Sequence, residues 1–162
     1  MGRASAGTPA TKLLQQAGID YEVHRYQVDP RAGSYAEEAA AALGLDASLV
    51  FKTLVAEVDG SPVLALVPGD AQLDLKALAA ALGGAKAQLA EQAHAQRITG
   101  YVVGGISALG TRRNLPVVAD VALAGVPKVY LSAGKRGLQV SLATVDLLAL
   151  TRAEIAVIAR RR

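Results

Sequence analysis

The chain has 162 residues, of which 52% are hydrophobic and 19% charged, so its composition predicts a folded domain with a buried core and excludes a disordered chain. It contains no cysteine, which excludes disulfides, thiolate metal sites and a cysteine nucleophile of the protein's own. Its 17 basic and 14 acidic residues give a net charge of +3, and aromatic residues make up 4%. Therefore neither the small net charge nor the few aromatic side chains available for base stacking indicate that the protein binds nucleic acid.

Neither a membrane segment nor an export signal is expected. Residues 1–11 lack the apolar stretch of a signal peptide, and Ala6 stands where N-myristoylation needs Ser or Thr. No apolar run reaches the roughly 18 residues of a membrane span. We expect a cytoplasmic protein whose residues 1–162 form a single domain, with flexible ends at 1–7 and 160–162.

Helix caps, periodicity and turn residues predict helices and strands in the first hundred residues. Thr8 precedes Pro9 as a helix cap, and Ser34 with Glu37 forms a capping-box pattern. Asp59-Gly60 is typical of a two-residue hairpin turn. The predicted elements are helices over 9–18, 35–44, 75–82 and 90–97, strands over 21–26, 51–58 and 62–67, and a loop over 29–33.

The second half is predicted to be richer in strands. A strand over 101–103 leads into a glycine-rich turn over 104–110. The elements expected after it are strands over 117–121, 129–131 and 138–142, a helix over 143–150, and a last helix capped by Thr151 with Glu154. Because helices and strands mix without regular βαβ alternation, the expected fold class is α+β with a largely antiparallel sheet.

Common catalytic and metal-binding patterns are not found. His24 and His94 lie far apart without ligand spacing, which favours a structural or surface role for both. The serines form no G-x-S-x-G motif and no recognisable Ser/His/Asp set. The turn over 104–110 lacks the Lys-Ser/Thr ending of a phosphate-binding loop. We therefore predict no metal and no cofactor.

Lys52 stands at the start of an apolar strand. Such a lysine either extends from a sheet edge into solvent or is held in a cleft. In a cleft it would be a fixed cation able to bind a carbonyl, carboxylate or phosphate.

Two turns combine small residues with cations. The turn over 104–110 has three glycines, and the segment over 132–137 has two glycines and a serine. Glycines let a backbone approach a ligand closely, so each turn is either ligand-facing or a structural hairpin with solvated charges. Together they would suit a polyanionic substrate. The cations beside them are Arg112, Arg113, Lys135 and Arg136.

Four segments resemble, in order and spacing, those of the YbaK-type deacylases, which are similar to the editing domain inserted in bacterial prolyl-tRNA synthetases. They are Thr8-Pro9-Ala10, Phe51-Lys52-Thr53-Leu54, Gly100-Tyr101-Val102-Val103-Gly104-Gly105-Ile106-Ser107 and Gly134-Lys135-Arg136-Gly137-Leu138. The resemblance runs from about residue 8 to about residue 152. It implies a mixed, largely antiparallel sheet or partial barrel flanked by helices. It also implies a trans-editing enzyme that removes cysteine mischarged on tRNA(Pro).

The resemblance also implies roles for individual residues. Lys52 corresponds to the catalytic cation that fixes the ester end of the aminoacyl-tRNA, and Tyr21 and Tyr35 to aromatic residues around the amino-acid pocket. Gly105 corresponds to a backbone wall of that pocket, and Ser132 to the serine before the Gly-Lys-Arg-Gly segment. The remaining turn residues expected to bind substrate are Gly104, Ile106, Ser107 and Gly134. The four cations Arg112, Arg113, Lys135 and Arg136 are expected to bind tRNA.

The chain departs from the family pattern at three positions. Ala108 replaces a usual proline, Ala133 replaces a frequent glycine, and Ala36 follows Tyr35 where glycine is common.

In the family the substrate's own thiol is thought to attack its carbonyl, releasing tRNA and a small cyclic thioester. The protein would then orient the group, stabilise the oxyanion through Lys52 and backbone N–H groups, and exclude other amino acids by size.

Two alternatives remain open from the sequence. One is a deacylase for another small amino acid, such as alanine on tRNA(Pro), which would need water as the nucleophile. The other is a non-catalytic module that binds tRNA or a synthetase. Lys52 among apolar strand residues favours an enzyme over such a module. A net charge of +3 predicts weak tRNA affinity, so prolyl-tRNA synthetase is a candidate partner for tRNA selectivity, whereas DNA and membranes are not expected partners.

Overall fold

The computed structural model of the chain describes residues 7–29 and 34–161, which form five α-helices and ten strands. The helices are α1 (Pro9–Gln16), α2 (Tyr35–Leu43), α3 (Leu75–Ala81), α4 (Gln92–Thr99) and α5 (Thr144–Thr151). The strands are β1 (Tyr21–Arg25), β2 (Val50–Val58), β3 (Ser61–Pro68), β4 (Ala71–Leu73), β5 (Ala87–Leu89), β6 (Val117–Asp120), β7 (Lys128–Lys135), β8 (Leu138–Ala143), β9 (Glu154–Ala156) and β10 (Ala159–Arg161).

The predicted caps start the helices where the sequence indicated. The Thr8 side chain accepts a hydrogen bond from the backbone N–H of Thr11, and Pro9 occupies the first turn, where its missing N–H costs no helical bond. Ser34 accepts from the N–H of Glu37, and Gly44 ends α2 in the left-handed conformation. Thr8 and Ser34 are therefore confirmed as the N-cap residues of α1 and α2, and the Glu37 carboxylate accepts a hydrogen bond from the Ser34 hydroxyl.

The main sheet is mixed and has the strand order β1-β8-β7-β2-β3-β6-β9, with β5 also paired to β2. Strands β2 and β3 form the predicted hairpin, and Asp59 and Gly60 both have positive φ, as a two-residue hairpin turn requires. The β2–β7, β3–β6 and β6–β9 pairs are parallel and the others in this sheet are antiparallel. The α+β class with a mixed sheet is confirmed.

Helices cover both faces of the sheet. One face packs the side chains of Leu131 and Val140 against Leu14 of α1 and Ile98 of α4. On the other face, Leu78 of α3 packs with residues of β3 and β6, and the alanines of α2 pack against Val50. Within the described ranges, no helix combines the length and hydrophobicity needed to cross a bilayer.

Two of the predicted elements are wrong. Residues 101–103 form a loop rather than a strand, because glycines at 100 and 104 adopt positive φ and the buried Tyr101 hydroxyl donates to the Leu109 carbonyl at 2.6 Å. The expected last helix is replaced by β9 and β10. The buried Asp120 side chain holds the second of these strands, since one oxygen accepts from the N–H groups of Ile158 and Ala159.

The chain ends differ in part from expectation. Arg160 and Arg161, expected in a flexible tail, pair with Gln72 and Ala71 of β4 in a second, two-stranded sheet. The expected flexible residues 1–6 and 162, and residues 30–33 of the expected loop, lie outside the described residues. The short strands β4 and β5 were not predicted, because three residues carry too little periodicity to be recognised.

Candidate functional site

A cleft opens where β2 separates from the neighbouring β7. Strand β2 pairs with β7 only at Val50 and Phe51, and with β5 only from Ala56 to Val58. Its other edge is paired with β3 throughout. Among the described residues, no strand therefore pairs with the β7-facing edge of residues 52–55, and a cleft of about 490 Å³ fills this gap.

The open edge of β2 presents backbone groups to the cleft. The Val50 carbonyl accepts from Gly69 on the β3 side, whereas the Val55 carbonyl accepts from Ala90 on the β5 side. Backbone groups alternate between the two edges of a strand, so the N–H and C=O of Thr53 point the same way as those of Val55. Thr53 thus offers a backbone donor and acceptor to the cleft.

Lys52 lines this cleft and is half-buried. Because the cleft cuts into the edge of the sheet rather than lying on one face, consecutive residues of β2 reach it, including Thr53 and Leu54. The sequence left open whether Lys52 extends from a sheet edge into solvent or is held in a cleft, and in the structure it lines a cleft. The Lys52 ammonium group therefore lies close to the part of β2 whose backbone is not paired with β7.

The loop over 104–106 forms another wall. Gly104 and Ile106 line the cleft, whereas Gly105 is packed behind it. A Cβ on Gly105 would lie 2.7 Å from the Cα of Lys135, so this turn rests directly on the end of β7. Ser107 is fully buried, and its hydroxyl accepts from the N–H of Leu109 at 3.2 Å. Gly105 and Ser107 therefore hold the loop and do not face the cleft.

Strands β7 and β8 supply two polar residues to the opposite wall. Ser132 and Gln139 are cross-strand neighbours, and both line the cleft. The Ser132 hydroxyl accepts from the N–H of Gly134 at 3.2 Å. Gly134 itself has positive φ, and a Cβ there would lie 2.8 Å from the Tyr101 ring. Gly134 thus serves close packing rather than cleft lining.

Tyr35 lines the mouth of the cleft and is held by an ion pair behind it. The Arg136 guanidinium lies 5.0 Å from the centre of the Tyr35 ring. Its Nε and Nη2 each donate to the buried Glu38 carboxylate at 2.9 Å, and Nη2 also donates to the Asp29 carbonyl. These hydrogen bonds hold the pKa of Glu38 below its ordinary value. Arg136, expected to bind tRNA, is thus engaged within the protein.

The remaining expected site residues lie apart from the cleft lining. Tyr21 is buried in the core on β1, opposite Leu142. Arg112 and Arg113 are exposed beyond the end of α4, and the Arg112 guanidinium donates to the Arg97 carbonyl. Lys135 is exposed at the end of β7, next to Gly105. The structure therefore brings together only Lys52, Tyr35, Gly104, Ile106 and Ser132 of the residues expected at the site.

Gln139 is a cleft residue that the sequence did not single out. Its Oε1 atom is buried and has no hydrogen-bond partner among the described residues, and the same holds for Thr53 Oγ1. Both residues line the cleft. The only signal in the sequence is alternation: Gln139 and Ser141 face away from the apolar side of β8 formed by Leu138, Val140 and Leu142.

A hydroxyl–imidazole pair exists elsewhere on the sheet. His24 Nε2 lies 2.7 Å from Ser141 Oγ, and burial lowers the pKa of His24. Neither residue lines the cleft, and Ser141 is 1% exposed, so a substrate has no access to its hydroxyl. The pair therefore gives no hydrolytic dyad.

The cleft chemistry rests on one cation, hydroxyls and backbone groups. The lining drawn from residues 7–29 and 34–161 includes no carboxylate, imidazole or thiol. The arrangement can stabilise negative charge on a carbonyl oxygen through Lys52, but its described lining offers no general base beside a hydroxyl nucleophile. No three potential metal-binding side chains are clustered in the described chain.

Comparisons with known proteins identify relatives over nearly the whole chain. It is 33% identical over 150 residues to an Enterococcus faecalis protein provisionally named Cys-tRNA(Pro)/Cys-tRNA(Cys) deacylase EbsC, covering 92% of this chain and 91% of that one. It is also 33% identical to the multifunctional Ser/Thr-tRNA deacylase ProXp-y of Escherichia coli, covering 88% and 86% of the two chains. The proline–tRNA ligase of Geobacter sulfurreducens is 34% identical over 119 residues, which cover 74% of this chain and 20% of the ligase.

A solved structure and a family model agree with these relatives. A crystal structure described as a trans-editing enzyme for prolyl-tRNA synthetase, itself a provisional assignment, superposes with a TM-score of 0.83 at 28% identity. That match covers 94% of this chain and 95% of the other. Residues 30–150 match the model of the aminoacyl-tRNA editing domain, a range that contains the described cleft residues. The chain belongs to the aminoacyl-tRNA editing domain family.

Proposed function

We propose that the protein is a trans-editing deacylase that cleaves cysteine from mischarged tRNA(Pro). The observation that carries the proposal is the cleft at the open edge of β2, where Lys52 stands beside backbone groups while the described lining has no general base. Such a site suits a substrate that brings its own nucleophile. The substrate class is supported by the relatives named as aminoacyl-tRNA deacylases.

In the proposed reaction the cysteinyl thiol attacks its own ester carbonyl. A bond forms between sulfur and the carbonyl carbon, and the bond from that carbon to the 3′-oxygen of the tRNA breaks. The thiol proton ends on the departing 3′-oxygen, so the products are uncharged tRNA and a cyclic thioester. Intramolecular attack has a high effective molarity, so the protein's task is to hold the reactive geometry.

Lys52 and the backbone N–H of Thr53 would stabilise the negative charge that develops on the carbonyl oxygen. Both lie along the open edge of β2, where one oxygen can receive a charged donor and a neutral one. The rigid hairpin with β3 fixes this edge before substrate binds. Removing one donor of this kind reduces kcat by roughly 100- to 1,000-fold in other enzymes.

The exposed cations around the cleft would guide the tRNA. Lys135 lies next to the loop over 104–106, and Arg112 and Arg113 lie beyond α4, which contributes Gln92 to the cleft. Exposed lysines and arginines bind phosphates through a term that weakens with salt. Because only a few exposed cations lie near the cleft, we expect a modest affinity for tRNA. We therefore propose prolyl-tRNA synthetase as the partner that transfers the mischarged tRNA to this protein.

Single-turnover deacylation tests the proposal. Cysteine, serine, threonine, alanine and proline, each attached to tRNA(Pro), are incubated with wild type, Lys52→Ala and Lys52→Arg. We expect cleavage of the cysteinyl ester, sparing of the prolyl ester, and a loss of about 100-fold or more in Lys52→Ala. Lys52→Arg keeps the charge and is expected to retain more activity.

Lys76→Ala is the matched control, because Lys76 is an exposed lysine on α3, outside the cleft. It should cleave the cysteinyl ester at the wild-type rate. Equal rates for wild type and Lys52→Ala would contradict the role of Lys52. Preferential cleavage of seryl, threonyl or alanyl esters would refute the cysteine assignment, since none of these side chains carries a thiol. Preferential cleavage of the alanyl ester would in addition indicate a water nucleophile.

A further inference from the structure

The mouth of the cleft carries an aromatic ring that the proposed reaction does not use. Tyr35, the first residue of α2, lines the cleft and is 46% exposed. Other lining residues are apolar and buried, since Phe51, Val55 and Ala95 are each 6% exposed or less. An amino-acid side chain enclosed by the cleft lies against such buried residues. An exposed ring instead belongs to the solvent side, where the rest of the substrate must lie.

Two contacts hold the Tyr35 ring in place. The Arg136 guanidinium lies over the ring, 5.0 Å from its centre, and donates two hydrogen bonds to the buried Glu38 carboxylate. Tyr35 and Glu38 are three residues apart on α2, so they share one side of the helix and a single arginine reaches both. Along one side of the ring, a Cβ on Gly104 would lie 3.2 Å from Cε1 and 3.3 Å from Cζ. The ring is therefore oriented before a substrate binds.

The packing of α2 places this ring near Lys52. Ala36, the residue after Tyr35, packs in one cluster with Val50 at the start of β2. Lys52 follows Val50 by two residues of the same strand, a distance of roughly 7 Å. Tyr35 and Lys52 therefore line neighbouring parts of one cleft, with the lysine half-buried and the tyrosine at the mouth.

We infer that Tyr35 is a stacking platform for the 3′-terminal base of the aminoacyl-tRNA. The inference rests on the proposed function, which puts the ester carbonyl beside Lys52. The ester oxygen belongs to the terminal ribose, so the terminal nucleoside is the first part of the tRNA outside the amino-acid pocket. A nucleobase has two flat faces, and proteins bind unpaired bases by stacking one of these faces on an aromatic side chain.

Tyr35 fits a base better than the other exposed large apolar residue of the described lining. That residue is Leu89 of β5, which is 56% exposed, but a branched aliphatic chain offers no flat face. Arg136 over the Tyr35 ring adds the fixed cation that sites for single-stranded nucleic acids combine with aromatic rings. Because the ring is already held, little side-chain freedom is lost when a base stacks on it.

The platform separates two kinds of recognition. The aromatic content of 4% gave no sign of it, because one ring at the mouth is enough for one base. All tRNAs end in the same nucleoside, adenosine, so stacking on Tyr35 anchors the end of the substrate without choosing among tRNAs. Choice of amino acid stays with the cleft beyond the mouth.

The test uses two stable analogues that differ only in the base. One is 3′-amino-3′-deoxyadenosine carrying cysteine through an amide, and the other is the same cysteinyl amide on the ribose without adenine. Calorimetry gives Kd of each analogue for wild type, Tyr35→Leu and Tyr35→Phe. We expect wild type to bind the adenosine analogue about 5- to 150-fold more tightly, the range that stacking on one aromatic side chain gives.

Tyr35→Leu should weaken binding of the adenosine analogue at least about fivefold and leave Kd of the base-free analogue unchanged. Tyr35→Phe keeps the ring and should bind both analogues as wild type does. Tyr130→Leu is the matched control, because the Lys128 ammonium lies 5.5 Å from the centre of the Tyr130 ring but this tyrosine is outside the cleft lining. It should also bind both analogues as wild type does.

Four results would overturn the platform: wild type not distinguishing the analogues, Tyr35→Leu weakening both equally, Leu89→Ala losing the preference for the base while Tyr35→Leu keeps it, or neither analogue binding. The proposed function fails separately. If base-dependent binding requires the Tyr35 ring but no aminoacyl-tRNA is cleaved, the platform stands and the deacylase does not. If the cysteinyl ester is cleaved while the base has no effect on binding, the reverse holds.

Discussion

Replacing Gly105 with alanine tests whether close backbone packing holds the loop over 104–106 against β7. A Cβ at this position would lie 2.7 Å from Cα, 2.8 Å from N and 3.0 Å from the carbonyl carbon of Lys135. All three are backbone atoms, so no rotamer change relieves the contact. The loop must move away from the strand, and Gly104 and Ile106 move with it out of the cleft wall.

The size of the effect follows from these distances. Ordinary contact begins at 3.4 Å, so the loop must shift by about 0.7 Å. Overpacking of this kind costs about 1–3 kcal/mol of unfolding free energy. A misplacement of about 1 Å in an active site can reduce the rate about 100-fold, so we expect a loss of roughly 10- to 100-fold in kcat/KM.

Thermal unfolding and single-turnover deacylation measure the two effects together. Each kcal/mol lost lowers Tm by about 2–4 °C in a domain of this size. Gly125→Ala is the control, because a Cβ there would have no atom within 4 Å and the residue does not have positive φ. If Gly105→Ala unfolds at the wild-type Tm and retains full activity, the loop is not seated on β7 as described and the reasoning is refuted.

Two further predictions concern stability. Asp120→Ala removes the oxygens that accept from the N–H groups of Ala122, Ile158 and Ala159, so we expect a loss of about 2–4 kcal/mol in urea unfolding. Asp120→Asn keeps an acceptor oxygen and should lose less; equal losses would contradict this account. Glu38 has a folded pKa below its ordinary value of 4.5, so its stabilising effect is complete above that pH and disappears as pH falls through the folded pKa. The Tm difference between wild type and Glu38→Gln should therefore be largest near pH 7 and vanish in acid; a difference independent of pH would exclude the ion pair with Arg136 as its source.

Local signals predicted the elements that form through contacts near in sequence. Thr8 and Ser34 cap their helices, and Asp59-Gly60 turns its hairpin, because each acts through backbone groups within a few residues. The errors at 101–103 and after residue 151 have the opposite origin. The segment after residue 151 takes its form from Asp120, 38 positions before Ile158, whereas residues 101–103 lie between two glycines of positive φ and are fixed by the Leu109 carbonyl, eight positions after Tyr101.

The candidate site also has some features that the sequence could predict and others that depend on the tertiary structure. The motif around Lys52 and the small residues of the two turns are visible as residue types, and five of the expected residues line one cleft: Lys52, Tyr35, Gly104, Ile106 and Ser132. Gly105, Ser107 and Gly134 are small or buried because the backbone packs tightly around them. A sequence shows that a small residue is present but not whether a ligand or another strand occupies the space beside it.

Arg136 shows why charge in a sequence does not identify a binding surface. Its guanidinium is bonded to Glu38, a residue 98 positions away, and lies against Tyr35. The neighbouring Lys135 is exposed at the end of β7. Lys135 and Arg136 are adjacent cations in the chain. Their roles differ because α2 places Glu38 next to Arg136, whereas Lys135 is exposed.

The sequence alone determined a cysteine-free α+β domain with a lysine in an apolar strand and two glycine turns beside cations. These features are properties of residue type and short-range order. The tertiary structure decided that β2 and β7 part after Phe51, that Lys52 lies in the gap, and that Gln139 faces it from β8. Strand pairing brings together residues of β2 and β7 that are 80 positions apart, and no local pattern encodes which edge of a strand is left open.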